Sequence, residues 1–334
     1  FSTATQTLGS VNSQGTLTSG GPELFVYTQG SGDQRIRSKV ADGAQPVSFI
    51  KSGSGVLRVS GLNSFTGGTF VNQGTVHVEG SSNIPAATDP FKGLVVSGAT
   101  VNIFTAGRIA PANYVTIAGQ GTLNYIGDNT QFGVVLDNVG SSGNPTIRSF
   151  NTLNADGTGS KGVLTIGAGG IIATSANVGT VSIIEGRVSF GAAGGTINVG
   201  AINVNGVADV DPLRATLQLQ SIVGTSGAIN KTGAGVLQLN AQALFTGDFN
   251  VTAGGLRNGV GNAGSRFADL TIGSGARYDL GGQTTTWGSL AGSGEIFSAS
   301  GTPTLNVGFN NSDSTFSGRL MRFNDAAYAQ LTKI

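Results

Sequence analysis

The chain has 334 residues, including 56 glycines, and a formal net charge of +1 from 18 Lys and Arg against 17 Asp and Glu. Charged residues are only 10% of the sequence, and no basic stripe is present that could hold a phosphate backbone, so nucleic acid is excluded as a partner. Cysteine is absent, which excludes disulfides and, with a single histidine, the usual zinc sites.

Period-two alternation of apolar and polar residues predicts short β-strands along nearly the whole chain. The clearest segments, in chain order, are residues 56–59, 75–78, 100–103, 163–166, 196–199, 215–219 and 269–272. Most of these runs are closed by a single glycine, which supplies positive φ at a corner without reversing the chain. Low charge fits the same architecture, because a charge repeated on stacked strands would face its own copy. We therefore expect an all-β parallel β-helix, or solenoid, with about three short strands per coil of ~20–30 residues.

Two segments share their key positions at a constant offset of 180 residues, and the copies are predicted at 51–76 and 231–256. The shared positions of the first copy are Lys51, Gly53, Gly55, Leu57, Phe65, Gly67, Val71 and Gly74. Those of the second copy are Lys231, Gly233, Gly235, Leu237, Phe245, Gly247, Val251 and Gly254. Such a set indicates a repeated backbone shape with a repeated inward face, not a repeated active site.

The two copies carry the motif Lys-Thr/Ser-Gly-x-Gly-x-Leu, followed by Phe-Thr-Gly and then by a valine and a glycine. In these residues the chain resembles the passenger domains of autotransporters, and more narrowly their passenger-associated transport repeat, also called the autotransporter-associated β-strand repeat. The second copy departs from the pattern where Asn240-Ala241 stands for Ser-Gly and Asp248-Phe249 for Gly-Thr. The resemblance implies a right-handed parallel β-helix at the cell surface or outside the cell. It also implies a link to the outer membrane only through a translocator that this chain does not contain.

The ends of the chain differ from its middle. Residues 1–50 are the least regular and are predicted to form a looser region or cap that is continuous with the helix. Residues 51–334 are predicted to form the β-helix itself. The last residues, 330–334, parallel residues 228–231 just before the second copy, so the chain is expected to be cut at the entrance to another repeat.

Few residues offer chemistry beyond packing. Asp209 and Asp211 lie two apart in Ala-Asp-Val-Asp-Pro, which would place both carboxylates on one face of an extended strand. Since paired carboxylates cleave glycosidic bonds, they are the alternative site, although Asp-Pro more often marks a turn. His77 alternates with two valines and is expected on the outward face of a strand. Trp287 is expected to pack or to form a corner. No catalytic, metal or cofactor residue is predicted.

These observations predict an exported, non-enzymatic surface protein that works in adhesion or self-association, either lateral or end to end, and that could form part of a filament or surface layer. A surface glycan or a host receptor is the other class of partner that remains open. The alternative from another class is a β-helix that binds or cleaves polysaccharide through Asp209 and Asp211, and a trimeric phage-type spike is a further rival. Aromatic residues are 7% of the chain and form no cluster along the sequence, which favours the structural function.

Overall fold

A computed structural model describes residues 6–10, 15–139, 143–151, 160–324 and 326–334. The chain divides into two units, which comprise residues 1–137 with 141–164, and residues 138–140 with 165–334. Short strands are nearly all of the regular secondary structure in each unit, and the described residues add two single-turn 3₁₀ helices, Pro90–Lys92 and Gly191–Ala193. Among the described residues, no helix has the length and apolarity that a bilayer crossing requires.

The described residues of the first unit form fifteen strands, and successive coils pair in parallel. The strands are β1 (Gln6–Leu8), β2 (Thr16–Leu17), β3 (Glu23–Tyr27), β4 (Gln34–Ile36), β5 (Lys39–Val40), β6 (Ser48–Ser52), β7 (Val56–Val59), β8 (Gly68–Val71), β9 (Thr75–Val78), β10 (Leu94–Ser97), β11 (Thr100–Ile103), β12 (Tyr114–Ala118), β13 (Thr122–Ile126), β14 (Asn129–Asn138) and β15 (Thr146–Phe150). One column of parallel strands runs β3-β6-β8-β10-β12-β14. The other runs β1-β4-β7-β9-β11-β13-β15. A third side is paired only in part, as in β2-β5 and the bridge between Ile84 and Ile109.

The interior of the first unit follows from the alternation in its strands. Leu57, Val76, Val101, Leu123 and Ile147 occupy one register column, and each is at most 3% exposed. Since side chains alternate between the two faces of a strand, the residues between them point outward. Stacking the same kind of apolar residue coil after coil buries a continuous core, although no single coil could bury its own face.

The second unit repeats this plan. Its strands are β16 (Val163–Ser175), β17 (Ser182–Ser189), β18 (Gly195–Ile202), β19 (Ala215–Ile222), β20 (Ile229–Thr232), β21 (Val236–Leu239), β22 (Phe249–Val251), β23 (Gly255–Asn258), β24 (Asp269–Ile272), β25 (Arg277–Asp279), β26 (Thr285–Trp287), β27 (Ser289–Gly292), β28 (Glu295–Phe297), β29 (Thr304–Val307), β30 (Arg319–Leu320), β31 (Arg322–Asn324), β32 (Ala327–Tyr328) and β33 (Gln330–Lys333). Parallel columns run β16-β18-β20-β22-β24-β27 and β17-β19-β21-β23-β25-β28-β30. The third side is formed in part by β26-β29-β33, and β31-β32 is antiparallel.

An aromatic cluster fills the interior of the second unit. Trp287 is fully buried, as predicted, and its ring centroid lies 5.8 Å from Phe249 and 6.1 Å from Phe245. Its indole Nε1 donates a hydrogen bond of 3.0 Å to the hydroxyl of Tyr278. The sequential parallel pairing in both units confirms the predicted all-β parallel β-helix.

Candidate functional site

The lysine of each repeat points into the protein. Lys51 lies on β6 two residues after the buried Phe49, and Lys231 lies on β20 two residues after the buried Ile229. Both lysines are 0% exposed. A fully buried lysine is rare unless its charge is paired, so each ammonium group needs internal partners.

Backbone carbonyls supply those partners. Lys231 Nζ donates hydrogen bonds of 2.6, 2.6 and 2.8 Å to the carbonyl oxygens of Gly233, Gly235 and Ala253. Lys51 Nζ donates bonds of 2.7 and 2.8 Å to those of Gly53 and Gln73. We call this arrangement the lysine clasp. An ammonium group carries three donors, and the second clasp uses all three. Two bind carbonyls in the corner that follows β20, and the third binds Ala253 on the next coil, so the lysine joins that corner to the next coil.

The clasp requires glycine at its outer corner. Gly74 and Gly254 have φ of 74° and 65°, in the left-handed region that glycine adopts without strain. A Cβ at Gly254 would lie 2.4 Å from the carbonyl oxygen of Gly235, and one at Gly74 would lie 2.5 Å from that of Gly53. Both carbonyls accept from the clasp lysine, so the glycine and the lysine depend on one another.

Burial changes the acidity of both ammonium groups. It lowers the pKa of Lys51 from 10.5 to about 8 and that of Lys231 from 10.5 to about 7, because removing a cation from water disfavours its charged form. The carbonyl oxygens act in the opposite sense, since they bond to the ammonium form. Neither lysine reaches solvent, so each clasp bonds only groups inside the protein.

The other repeat positions form the wall around the clasp. Leu57, Phe65 and Val71 in the first copy, like Leu237, Phe245 and Val251 in the second, are at most 3% exposed. The remaining glycines lie where a coil passes close to its neighbour, and a Cβ would fall within 3.0 Å of another atom at each of Gly53, Gly55, Gly67, Gly233, Gly235 and Gly247.

A groove of about 170 Å³ lies on the outer side of the second clasp. The groove is lined by Ala234, Gly254 and Gly255. Ala234 and Gly254 are next in sequence to residues whose carbonyl oxygens accept from Lys231, and Gly255 follows Gly254. The loop at 203–214, between β18 and β19, contributes Pro212 and Leu213 as an apolar wall. This loop is tied to β23, because Arg257 Nη1 donates a 3.4 Å hydrogen bond to the carbonyl oxygen of Leu213.

Charged groups of both signs also line the groove. Arg277 is half-exposed, with its Nε 3.7 Å from Glu295 Oε2. Asp279 is buried, and its Oδ1 accepts hydrogen bonds from the backbone N–H groups of Gly281 and Ala299 at 2.8 and 3.0 Å. Its Oδ2 lies 3.5 Å from Arg257 Nε. Asp279 therefore orients the arginine that holds the loop.

The two aspartates proposed from the sequence do not share a strand face, because the 203–214 loop is not extended there. Asp209 has φ of 53°, is exposed and lines the groove. Asp211 is half-buried, and its carbonyl oxygen closes a turn by accepting from the N–H of Arg214 at 3.2 Å. The structure thus brings Asp209, but not Asp211, to the groove. Among the described residues, no group of three His, Asp or Glu side chains could hold a metal ion.

The repeated segments match a known family. The profile of the passenger-associated-transport-repeat family matches residues 49–78 and 229–257, which are the two stretches that carry the clasps. The two copies are passenger-associated transport repeats. This match confirms the resemblance to autotransporter passengers that the sequence predicted.

A longer similarity extends beyond the passenger-associated transport repeats. The chain is similar to the adhesin BmaC autotransporter of Brucella suis biovar 1 (strain 1330), with 29% identity over 306 aligned residues. The alignment covers 80% of this chain but only 8% of that relative. No solved structure matches the chain.

The two passenger-associated transport repeats differ on their outward face. At the offset of 180 residues, Thr75 of the first repeat corresponds to Gly255 of the second, and His77 corresponds to Arg257. His77 does occupy an outward position, as expected, but its ring packs edge-on against Phe104 at 5.2 Å and is 17% exposed. The groove of the second repeat therefore lies where the first repeat carries a threonine side chain.

Sequence reasoning found the repeat but missed the clasp. The available signal was the alternation itself, because Phe49-Ile-Lys51 and Ile229-Asn-Lys231 put each lysine on the same side as a buried apolar residue. The groove had no comparable signal. It depends on a loop from one coil that covers a glycine two coils away, and this proximity exists only after folding.

Proposed function

We propose that this chain is a non-enzymatic segment of an exported passenger and that it works in adhesion at the cell surface. The observation that carries the proposal is that the lysine repeated in both passenger-associated transport repeats is buried and hydrogen-bonded to backbone carbonyls of the protein itself. Lys231 uses its three donors on backbone carbonyls, so it has none for a substrate. A motif built in this way serves the scaffold and leaves the outer faces for contact with partners.

The relative supports the adhesive part of the proposal, since it is itself an autotransporter adhesin. Its similarity to this chain covers most of the chain but a small part of its own length. The chain would act as one section of a longer surface-exposed passenger. Its attachment to the outer membrane would come from a translocator elsewhere in the protein.

Neutral polar faces give a physical route to self-association. On the outward side of the second unit, Thr196, Asn230, Asn250 and Thr271 share one register column. Asn250 Nδ2 donates a 3.0 Å hydrogen bond to Asn230 Oδ1. Amides and hydroxyls stacked in this way have further hydrogen-bonding capacity and no net charge, so two such faces can approach without repulsion.

Bead adhesion tests the proposal. Microspheres coated with the purified chain are expected to clump and to bind host cells or abiotic surfaces, whereas albumin-coated spheres are not. A face variant, Thr196→Lys with Thr271→Lys, adds two charges to the polar column and is expected to abolish clumping at low salt and to regain part of it at high salt.

The matched control is Gln242→Lys with Thr302→Lys, which adds the same charge at exposed positions outside the strands of the column. Equal clumping of the face and control variants would show that the polar column is not the associating surface. Coated spheres that neither clump nor bind any surface would refute the adhesive function itself.

A further inference from the structure

The groove beside the second clasp has the features of a small ligand site. Its volume of about 170 Å³ corresponds to roughly five or six water molecules at ~30 Å³ each. Pockets for drug-sized ligands start at ~300 Å³, so the groove suits a single ring rather than a folded peptide. Its position is also specific, because the equivalent face of the first repeat carries Thr75 in place of Gly255.

The lining of the groove indicates the chemistry of the ligand. Gly254 is half-buried and Gly255 is buried, and both line the groove without a side chain, while Pro212 and Leu213 form an apolar wall. Such a combination of side-chain-free and apolar surface fits the C–H face of a saturated ring.

Three charged side chains line the groove, Asp209, Arg277 and Asp279. The Asp279 carboxylate is already engaged by the N–H groups of Gly281 and Ala299 and by Arg257. The Asp209 carboxylate accepts hydrogen bonds, and the Arg277 guanidinium donates them. Arg277 is in part engaged by Glu295 at 3.7 Å, whereas no hydrogen bond to the Asp209 carboxylate is made by the described residues. Vicinal hydroxyls are both donors and acceptors, so they can satisfy a carboxylate and a guanidinium together. A phosphate would be repelled by Asp209 and Asp279.

Beside the first repeat, the loop that corresponds to residues 203–214 is the connection between β3 and β4, and its carboxylate is bonded to an arginine. Asp33 lies in that loop and is bonded by the Nε of Arg58. In the second repeat the residue that corresponds to Arg58 is the neutral Gln238. Arg257 is engaged by Asp279 and by the Leu213 carbonyl, so the second repeat leaves the Asp209 carboxylate available to a ligand.

We propose that this groove binds one neutral, polyhydroxylated sugar ring at the end or at a branch of a surface glycan. The proposal rests on the adhesive function above and names the ligand class for it. Asp209 accepts from ring hydroxyls, Arg277 donates to them, and Arg257 holds the covering loop in place. A single ring in a site of this size binds weakly, so adhesion would draw on many copies of the chain.

Saturation-transfer NMR tests the groove directly. The probes are the methyl glycosides of glucose, galactose, mannose and fucose, together with methyl glucuronide as an acidic sugar. At least one neutral glycoside is expected to receive saturation from the wild-type chain, with a Kd in the millimolar range, or about −4 kcal/mol.

Two variants and two controls locate the binding. Gly255→Thr restores the residue of the first repeat and fills the groove, with its Cβ 3.0 Å from Val236 Cγ2. Asp209→Asn removes the acceptor charge at an exposed position. Each is expected to weaken binding at least tenfold, whereas Thr75→Gly in the first repeat and Asp248→Asn on an exposed surface are expected to leave it unchanged.

The outcomes separate this proposal from the adhesive function. Any one of three results would overturn the proposed sugar site. The wild-type chain could bind no neutral glycoside, it could prefer the acidic sugar, or its binding could survive Gly255→Thr. Coated beads assayed in parallel address adhesion separately. Beads that still adhere while the groove fails would leave the adhesive function standing. The emission of Trp287, which is fully buried in the unit that holds the groove, verifies that this unit is folded in each variant.

Discussion

Replacing Gly254 by alanine tests the lysine clasp most directly. The new Cβ would lie 2.4 Å from the carbonyl oxygen of Gly235 and 2.6 Å from the backbone of Ala234. Contacts below 3.0 Å require the backbone to shift. That carbonyl accepts from Lys231 Nζ at 2.6 Å and from the N–H of Gly255 at 3.1 Å, so moving it strains or breaks two hydrogen bonds.

The expected loss of stability has two parts. Placing an L-residue at a φ of 65° costs about 1–2 kcal/mol. Losing two buried hydrogen bonds, one of them to a charged group, costs about 2–4 kcal/mol more. The total is about 3–6 kcal/mol, which is a large fraction of the stability of an ordinary domain.

Gly275 provides a matched control in the same unit. Its φ is 76°, but no atom lies within 4 Å of the position that a Cβ would take. Gly275→Ala therefore keeps the dihedral cost of about 1–2 kcal/mol and has no steric cost. The difference between the two variants isolates the contribution of the clasp.

Urea unfolding followed by tryptophan fluorescence measures this difference. Trp287 is the only tryptophan of the chain and is fully buried in the second unit. With an m value of about 2–3 kcal/mol/M, we expect the midpoint to fall by about 1–3 M in Gly254→Ala and by about 0.3–1 M in Gly275→Ala. Equal shifts in the two variants would refute the argument, because the carbonyl of Gly235 would then have moved at no cost.

Three further predictions follow from buried or bonded side chains. The pKa of Lys231 is lowered from 10.5 to about 7 by burial, so the unfolded chain binds more protons between these pH values. The free energy of unfolding of the wild type, measured with urea, should therefore rise with pH from about 7 towards 10.5, by at most about 1.4 kcal/mol per pH unit, and Lys231→Met should lack this rise. Leu237→Ala removes a fully buried side chain and should cost about 2–5 kcal/mol in urea unfolding. Leu244→Ala, at a side chain 53% exposed, should cost under about 1 kcal/mol, and similar losses would contradict the assigned inward face. Burial raises the pKa of Asp42, but hydrogen bonds from Val47 and Thr66 outweigh it and hold the pKa below 3.8. The stability from this carboxylate should thus be present above pH 3.8 and lost as the pH falls further, and Asp42→Ala should speed amide exchange around these bonds at pH 7 but not at pH 2.

The fold could be predicted because its determinants are local and repeated. Alternating residues such as Leu57 and Val59 define an inward face, and glycines such as Gly74 define the corners that close each coil. Each coil contacts its neighbours in register, so a pattern read within one coil also describes the next. The same reasoning identified both repeats.

The candidate sites depended on contacts that no local pattern contains. The sequence determined that Lys231 and Gly254 recur with Lys51 and Gly74, but only the stacked coils showed that each lysine bonds to carbonyls some twenty residues away. The groove required still longer connections, since Asp209 approaches Gly255 through the folding of a loop over a later coil. Periodicity fixes which way a side chain points, because it acts between adjacent residues. Which distant group that side chain meets is decided by the stacking of coils, and this was available only from the tertiary structure.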